Sequence, residues 1–237
     1  MNYNTDSFHK GLKELSVDLS EGQIEQFLHY YEMLIEKNKV MNLTAITDYD
    51  EVIEKHFLDS ISLVRVMDVN RELSVIDMGT GAGFPGIPLK IAFPDLKITL
   101  ADSLNKRVLF LQDVIHELGL EGIEAVHGRA EDLAYRKEYR ENFDLCVSRA
   151  VANLSTLSEY CIPFVKAGGQ FISYKSGDCD EEVKAAGHAI QVLGGKISKV
   201  EKFSLGESGR AFVVIDKVRA TGKGYPRKAG TPSKNPL

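Results

Sequence analysis

Residues 75–86 join the end of an apolar run to four closely spaced glycines, and this segment restricts the possible folds more than any other. The run over 73–76 ends at the acid Asp77, and the glycines follow it. A strand entering a glycine-rich loop lets backbone N–H groups approach a ligand, because no Cβ atoms intervene. The next apolar run ends at Asp102, where nucleotide-binding βαβ units place the carboxylate that binds ribose hydroxyls. The chain is therefore predicted to bind a cofactor that carries adenosine.

From residue 73 onwards, apolar runs typical of strands alternate with amphipathic helical segments. The first five strands are predicted at 73–77, 97–101, 122–126, 143–147 and 170–174. Repeated β–α units indicate an α/β fold with a mostly parallel sheet between helices. The last two runs, 197–203 and 211–215, have no helix between them, so they are predicted to form an antiparallel hairpin at the sheet edge. Rossmann-like methyltransferases (class I, seven-stranded) have such a hairpin, whereas dinucleotide dehydrogenases generally lack it.

Three segments follow from these patterns. We expect an N-terminal helical cap over 1–70, a methyltransferase domain over 71–217 and a basic C-terminal tail over 218–237. Within the cap, Ser20 and Gln23 have the spacing of a capping box, and Thr47 or Asp48 opens a second long helix. Ser103 is predicted to cap the helix that follows the second strand.

The charge is unevenly distributed along the chain. Six of the 29 basic residues lie from Lys217 onwards, where there is no acid, which leaves 23 basic residues against 34 acidic ones elsewhere. This tail is predicted to be disordered and to contact RNA phosphates; a merely solvated tail is the alternative. Three cysteines without a paired motif, no apolar signal region and no membrane-spanning run indicate a soluble cytoplasmic protein. We expect a monomer that contacts no membrane, and no metal site, because the histidines lack metal-ligand spacing.

The glycine loop indicates which cofactor is bound. Residues 81–86 satisfy the dinucleotide fingerprint GxGxxG, but the strand ends at Asp77, so Gly79 is the first turn glycine. Phe84 then stands at the third glycine's place, and Pro85 delays the helix that a pyrophosphate needs directly behind the loop. S-adenosylmethionine has no phosphate and tolerates this geometry. We therefore predict S-adenosylmethionine, and a nicotinamide oxidoreductase is the alternative class.

Each of the two strand-ending acids has a second interpretation. Asp77 either orients the methionine end of the cofactor or caps the loop. Asp102 either binds ribose or shares a helix N-cap with Ser103.

Several segments resemble one family closely. The chain is similar to the bacterial small-subunit rRNA methyltransferase G family, also called glucose-inhibited division protein B, over nearly its whole length. Thr80 stands where the family usually has serine, a mild departure. The matching segments are 41–44, 56–60, 77–86, 102–107, 128–131, 148–151 and 225–232.

This resemblance implies a function and a set of site residues. The family transfers a methyl group from S-adenosylmethionine to N7 of guanine 527 of 16S rRNA, so 16S rRNA or the small ribosomal subunit is the expected partner. A small-molecule methyltransferase and a non-catalytic RNA-binding module are the alternatives. The cofactor-binding residues expected from the match and from the loop are Gly79, Gly81, Phe84, Asp102, Ser103, Leu104, Ala130, Glu131 and Arg149.

Guanine N7 has a free lone pair, so methylation there requires alignment rather than a general base, and we predict no catalytic side chain. Arg149 is expected to orient the guanine or a phosphate, unless it forms a salt bridge to a loop acid. Lys175 faces the same sheet edge. His56 and Asp59 share a helix face and could instead hold the N-terminal helices on the sheet. The predicted RNA-binding residues are Arg149, Lys175, Arg227, Lys228 and Lys234.

Overall fold

A seven-stranded mixed sheet organises the computed structural model, which describes residues 3–237; the first two residues of the predicted cap lie outside the described residues. The strand order is β3-β2-β1-β4-β5-β7-β6. Strands β1 to β5 run parallel, whereas β7 is antiparallel to both β5 and β6, as the sequence predicts. The strands are β1 Ser74–Met78, β2 Lys97–Asp102, β3 Ile123–His127, β4 Phe143–Arg149, β5 Val165–Ser176, β6 Gly195–Leu205 and β7 Ser208–Lys217.

Strands β1 and β4 are neighbours although two β–α units separate them in the chain, so the strand order reverses between them. In open α/β sheets such a reversal leaves a crevice at the carboxyl ends of the strands, where ligands bind. Asp102 and Arg149 are the last residues of β2 and β4, and both therefore lie at this edge. The topology brings together side chains that lie 47 positions apart in the sequence.

Helices cover both faces of the sheet. Successive strand residues point to opposite faces, so Val75 packs among the N-terminal helices, and Ile76 packs on the other side. The helices are α1 Asp6–Glu14, α2 Glu21–Met41, α3 Tyr49–Val52, α4 Asp59–Ile61, α5 Gly86–Ala92, α6 Asn105–Glu117, α7 Ala130–Leu133, α8 Leu154–Cys161, α9 Asp180–Val192 and α10 Thr231–Lys234. Within residues 3–237, no helix combines the length and the apolar character needed to cross a membrane.

The N-terminal helices begin where the sequence predicts. Ser20 caps α2 in a capping box with Gln23, and the Asp48 side chain accepts from the Glu51 amide at 3.1 Å. The second long helix is a helical run over 49–65, in which a π-helical stretch, Ile53–Leu58, separates α3 from α4. This stretch aims several buried side chains at the sheet, among them His56.

A fully buried aromatic cluster fixes these helices to the sheet. The ring centroids of Phe8 and Phe27 lie 5.1 Å apart, and those of Phe27 and Phe57 lie 4.9 Å apart. Each such pair adds about 0.5–1.5 kcal/mol beyond the apolar area it buries. Tyr30 stacks on Phe57 and donates a hydrogen bond to the Ala82 carbonyl at 2.6 Å, which ties the cluster to the glycine loop.

Two local predictions are wrong. Ser103 does not cap α6: Leu104 occupies the N-cap position, and the Asp102 carboxylate accepts from the Leu104 amide at 2.8 Å. The C-terminal segment is folded rather than disordered, because it contains α10 and buries Pro226 and Pro232. Net charge alone does not prevent packing when buried acids of the domain pair with the tail's cations.

Candidate active site

The Asp77 side chain accepts hydrogen bonds from two residues of the glycine loop. Its side chain is fully buried, and Oδ2 accepts from the Thr80 hydroxyl at 2.6 Å and from the Gly86 amide at 2.9 Å. Burial raises the pKa of Asp77 to about 6, although those two hydrogen bonds act in the opposite direction. The side chain is not among those that line the adjacent cavity. These contacts correspond to the loop-cap interpretation of Asp77.

The loop needs glycine at the turn that follows β1. Gly79 has φ of +72°, and a Cβ there would lie 2.5 Å from Cγ2 of Val151. Gly81 also has a positive φ, and its amide donates to Oδ2 of Asp102 at 3.0 Å. The loop therefore opens onto a cavity in the crevice between β1 and β4.

This first cavity has a volume of about 480 Å³, which is within the range of small-molecule sites. Five of the predicted cofactor-binding residues line it, namely Gly79, Asp102, Ser103, Ala130 and Glu131. Gly81 and Leu104 are not in its lining, but their amides hold the Asp102 carboxylate. Asp102 is 3% exposed and also lies 3.4 Å from the Arg107 guanidinium. It therefore both organises the loop and presents a carboxylate to the cavity.

Glu131 lies at the other side of the first cavity, in α7. Its side chain is mostly buried, and Oε1 accepts from the Gly230 amide at 2.9 Å. Gly230 and Tyr160 also line the cavity, as do Arg107 and Arg129, and none of these four was predicted as a site residue. The only sequence signal for Gly230 is its position inside one of the family-like segments.

Phe84 lies away from the first cavity, contrary to its predicted contact with the cofactor. Its ring stacks on the His56 ring with centroids 4.4 Å apart, and the Arg149 guanidinium lies 5.1 Å from its centroid. The ring is held among the N-terminal helices because the loop turns it towards α2 and the 49–65 run. Phe84 therefore supports Arg149 rather than the cavity lining.

Arg149 faces a second cavity of about 450 Å³. Lys175 and Arg210 also line this cavity, and Ala150 lines both cavities, so the two adjoin there. Lys175 Nζ donates to Glu182 at 2.7 Å and to the Ala152 carbonyl at 3.0 Å. Arg149 was predicted for both the cofactor and the RNA, and its side chain lies on the second cavity only.

Asp59 holds two arginines side by side in this cavity. Its Oδ2 accepts from Arg149 at 2.7 Å and its Oδ1 accepts from Arg210 at 2.9 Å. The predicted alternative partner of Arg149 was an acid in a loop. Asp59 instead belongs to the N-terminal helical run. The Asp59 side chain is 5% exposed, so the pairing neutralises a nearly buried carboxylate.

His56 completes the network as a neutral side chain. Burial and the neighbouring Arg149 lower the pKa of His56 to about 3. His56 Nδ1 lies 3.1 Å from the Arg149 guanidinium and 3.1 Å from the Lys55 carbonyl. Its Nε2 lies 2.9 Å from the Thr44 hydroxyl. His56 and Asp59 thus contact Arg149 separately.

Five of the six tail cations fall into two groups, and the sixth, Arg219, donates to the Gln191 carbonyl at 2.7 Å. Arg227 forms two-pronged hydrogen bonds with the fully buried Glu159, and Lys217 pairs with Glu141, so neither is available to a phosphate without breaking an ion pair. The pairing with Glu159 argues against the predicted RNA contact of Arg227. Lys228 and Lys234 are exposed, as is Lys223.

The three cysteines are all buried. Burial raises the pKa of the Cys146 thiol well above its ordinary value, so the thiol stays protonated and is a poor nucleophile. These side chains contribute to the apolar core on the face opposite the N-terminal helices.

The backbone resembles those of known methyltransferases. An S-adenosylmethionine-dependent methyltransferase from Aquifex aeolicus superposes with a TM-score of 0.55 at 17% identity, covering 73% of this chain and 96% of that chain. M. jannaschii TYW2, solved in complex with AdoMet, has a TM-score of 0.53 at 14% identity, covering 63% of this chain and 71% of that chain. These likenesses show a Rossmann-like fold that S-adenosylmethionine-dependent methyltransferases share.

The sequence narrows this class to one family. Residues 23–211 match the GidB family, described as rRNA small subunit methyltransferase G. A relative of that name from Lachnoclostridium phytofermentans is 53% identical over 98% of this chain and 96% of its own length. Another, from Desulforamulus reducens, is 52% identical over the full length of both chains. The chain belongs to the GidB family.

Proposed function

We propose that this chain transfers the methyl group of S-adenosylmethionine to N7 of guanine 527 of 16S rRNA, as a monomer in the bacterial cytoplasm. The observation that carries the proposal is the pair of cavities that adjoin at Ala150. The first cavity is lined by two acids and two arginines, whereas the second is lined by four cations and two acids. The second cavity therefore has an excess of positive charge that suits an anionic RNA segment.

The residues of the first cavity fit S-adenosylmethionine. Asp102 accepts hydrogen bonds, as ribose hydroxyls require, and Glu131 accepts as well, as an adenine amino group requires. The Gly79 turn leaves backbone close to the cavity without a side chain in the way. When bound, the cofactor supplies a methyl group that is activated by attachment to a sulfonium.

The residues of the second cavity act by orientation. Arg149 and Arg210 donate to acceptors such as guanine O6 or a phosphate, and Lys175 adds a further positive charge. Guanine N7 attacks in the ring plane and loses no proton, so a base is not required. The acids and the histidine of this cavity suit that mechanism, because Asp59 and Glu182 are in ion pairs and His56 is in contact with Arg149.

The test is methylation of defined substrates. Purified protein and S-adenosylmethionine should modify a single guanine in 16S rRNA, or in small subunits, from cells that lack this activity. Chemical cleavage at N7-methylguanine locates the position. Methyl transfer to free guanosine nucleotides without rRNA would instead support a small-molecule methyltransferase.

Replacing Asp102 with alanine should weaken S-adenosylhomocysteine binding by about 1.5–3 kcal/mol, the scale of a charge-assisted hydrogen bond to ribose. Calorimetric titration measures the change. Asp102→Asn is the matched variant, because it keeps one acceptor for the loop amides and removes the charge. Unchanged affinity in both variants would reject the assignment of Asp102 to the cofactor.

Neutralising Lys223, Lys228 and Lys234 together should flatten the salt dependence of RNA affinity. Each phosphate contact with single-stranded RNA contributes about −0.7 to the slope of log affinity against log salt concentration, so the slope should change by about 2. The matched control neutralises three other exposed lysines, Lys10, Lys13 and Lys196. Equal slopes in all three proteins would show that this part of the RNA surface lies elsewhere.

A further inference from the structure

Residues 225–233, called here the C-terminal strap, cross the surface beside the first cavity. Side chains of the domain donate hydrogen bonds to the backbone of this strap at several points. Arg140 donates to the Tyr225 carbonyl at 2.9 Å, and Tyr135 donates to the Pro226 carbonyl at 2.6 Å. Thr156 donates to the Pro232 carbonyl at 3.0 Å. The strap is therefore a docked element with specific contacts along its length.

An ion pair fastens the middle of the strap. Glu159 is fully buried, and both of its carboxylate oxygens accept from Arg227: the Arg227 backbone amide donates to Oε1 at 2.7 Å, and Nη2 donates to Oε2 at 2.7 Å. A buried carboxylate without its partner is strongly unfavourable. Without Arg227, the Glu159 carboxylate would favour hydration over burial. We therefore expect the strap to detach locally so that water reaches Glu159.

Three residues beyond Arg227, the strap reaches the first cavity. Gly230 lines the cavity, and its amide donates to Oε1 of Glu131 at 2.9 Å. Its φ of +81° turns the chain at this point, and a Cβ would meet no atom within 4 Å. Glycine is thus required by backbone conformation and not by lack of space. The position of Gly230 sets the orientation of a carboxylate at the cavity wall.

We infer that the C-terminal strap is a wall of the cofactor site, and that Arg227 and Glu159 are positioning residues that set cofactor affinity through Gly230 and Glu131. The inference rests on the proposed function for its cofactor but not for its RNA target. It assigns a role in cofactor binding to Arg227, which the charge pattern alone would assign to RNA.

The test is Arg227→Gln in the full-length chain, with S-adenosylhomocysteine as the probe. Its dissociation constant, and the KM for S-adenosylmethionine, should rise about tenfold, the effect of losing one well-aligned hydrogen bond in a partly buried site. The kcat at saturating cofactor and saturating RNA should change by less than about twofold. If the role of Arg227 were purely structural, the variant would have a lower melting temperature but no selective rise in the KM for S-adenosylmethionine. Arg227→Lys, which can satisfy one carboxylate oxygen, should recover part of the affinity.

Arg136→Gln is the matched control, because it makes the same charge change at an exposed position and should leave the affinity unchanged. Hydrogen exchange reports on the strap directly. In Arg227→Gln, amides of 225–233 should exchange faster while those of the sheet stay protected. Unchanged cofactor affinity in a variant with a released strap would overturn the inference, as would a strap that stays protected.

The wild-type protein provides a second measurement that does not depend on the folding of any variant. Coupling between two sites is reciprocal, so saturating S-adenosylhomocysteine should slow exchange in the strap. Unaltered exchange there, despite measured binding, would refute the inference alone. Absence of any binding to wild-type protein would instead refute the cofactor on which the proposed function depends.

Discussion

Replacing Arg149 with alanine is expected to lower kcat/KM for RNA methylation by about 100-fold, the scale of losing alignment at the reacting centre. The guanidinium lies in the second cavity, over Phe84 and against Asp59, where it can hold a guanine edge or a phosphate. The protein should stay folded because Asp59 keeps Arg210 as a partner. Steady-state rates on 16S rRNA measure the loss.

A measurement of cofactor binding distinguishes the two roles predicted for Arg149, which are contact with the cofactor and contact with the RNA. S-adenosylhomocysteine affinity should stay within about twofold of wild type, since the side chain does not line the first cavity. Arg149→Lys keeps the charge but not the planar pair of donors, so its activity should be intermediate. A loss of cofactor affinity that parallels the loss of activity would instead show that Arg149 contributes to cofactor binding.

Acidification is expected to destabilise the protein through His56. The pKa of His56 is about 3 in the folded state, against an ordinary value of about 6.5, so the unfolded chain takes up a proton that the folded chain does not. Stability is therefore lost as pH falls. Between about pH 6.5 and 4.5 the free energy of unfolding should drop by about 2–3 kcal/mol from this group.

His56→Asn isolates this contribution, because asparagine can accept from Arg149 and does not titrate. Urea unfolding of both proteins across this pH range should give curves that converge towards low pH. Asp77, with a pKa raised to about 6, acts in the opposite direction, since its contribution to stability is lost as pH rises, and it is common to both proteins. Parallel curves would mean that His56 is not held neutral by the fold.

The sequence predicted the sheet and its hairpin because local signals agreed with the tertiary structure. Apolar runs of strand length, the glycine loop at 79–86 and the capping box at Ser20 each report a short-range physical requirement. The acid at the end of β2 was also predictable, since parallel strands bring their carboxyl ends to one edge. The contacts that close the cavities join segments distant in sequence, and such contacts have no local sequence signature.

The C-terminal strap is the clearest example. Its two prolines and two basic residues have the composition of a solvated tail, and only tertiary structure reveals that Glu159 is buried beneath Arg227. The partnership of Asp59 with Arg149 and Arg210 escaped prediction for the same reason, because it joins three separate elements. Buried ion pairs between distant segments leave no periodicity in the sequence.

The same three-way contact has a consequence for the protein during its own synthesis. Asp59 emerges from the ribosome 90 residues before Arg149 and 151 residues before Arg210. N-terminal parts of a chain begin to fold first during translation, but contacts so distant in sequence cannot form until both ends exist. The second cavity therefore assembles only after β7 has been made. A nascent chain would have its glycine loop and first strands early, yet lack the paired arginines until Arg210 had emerged.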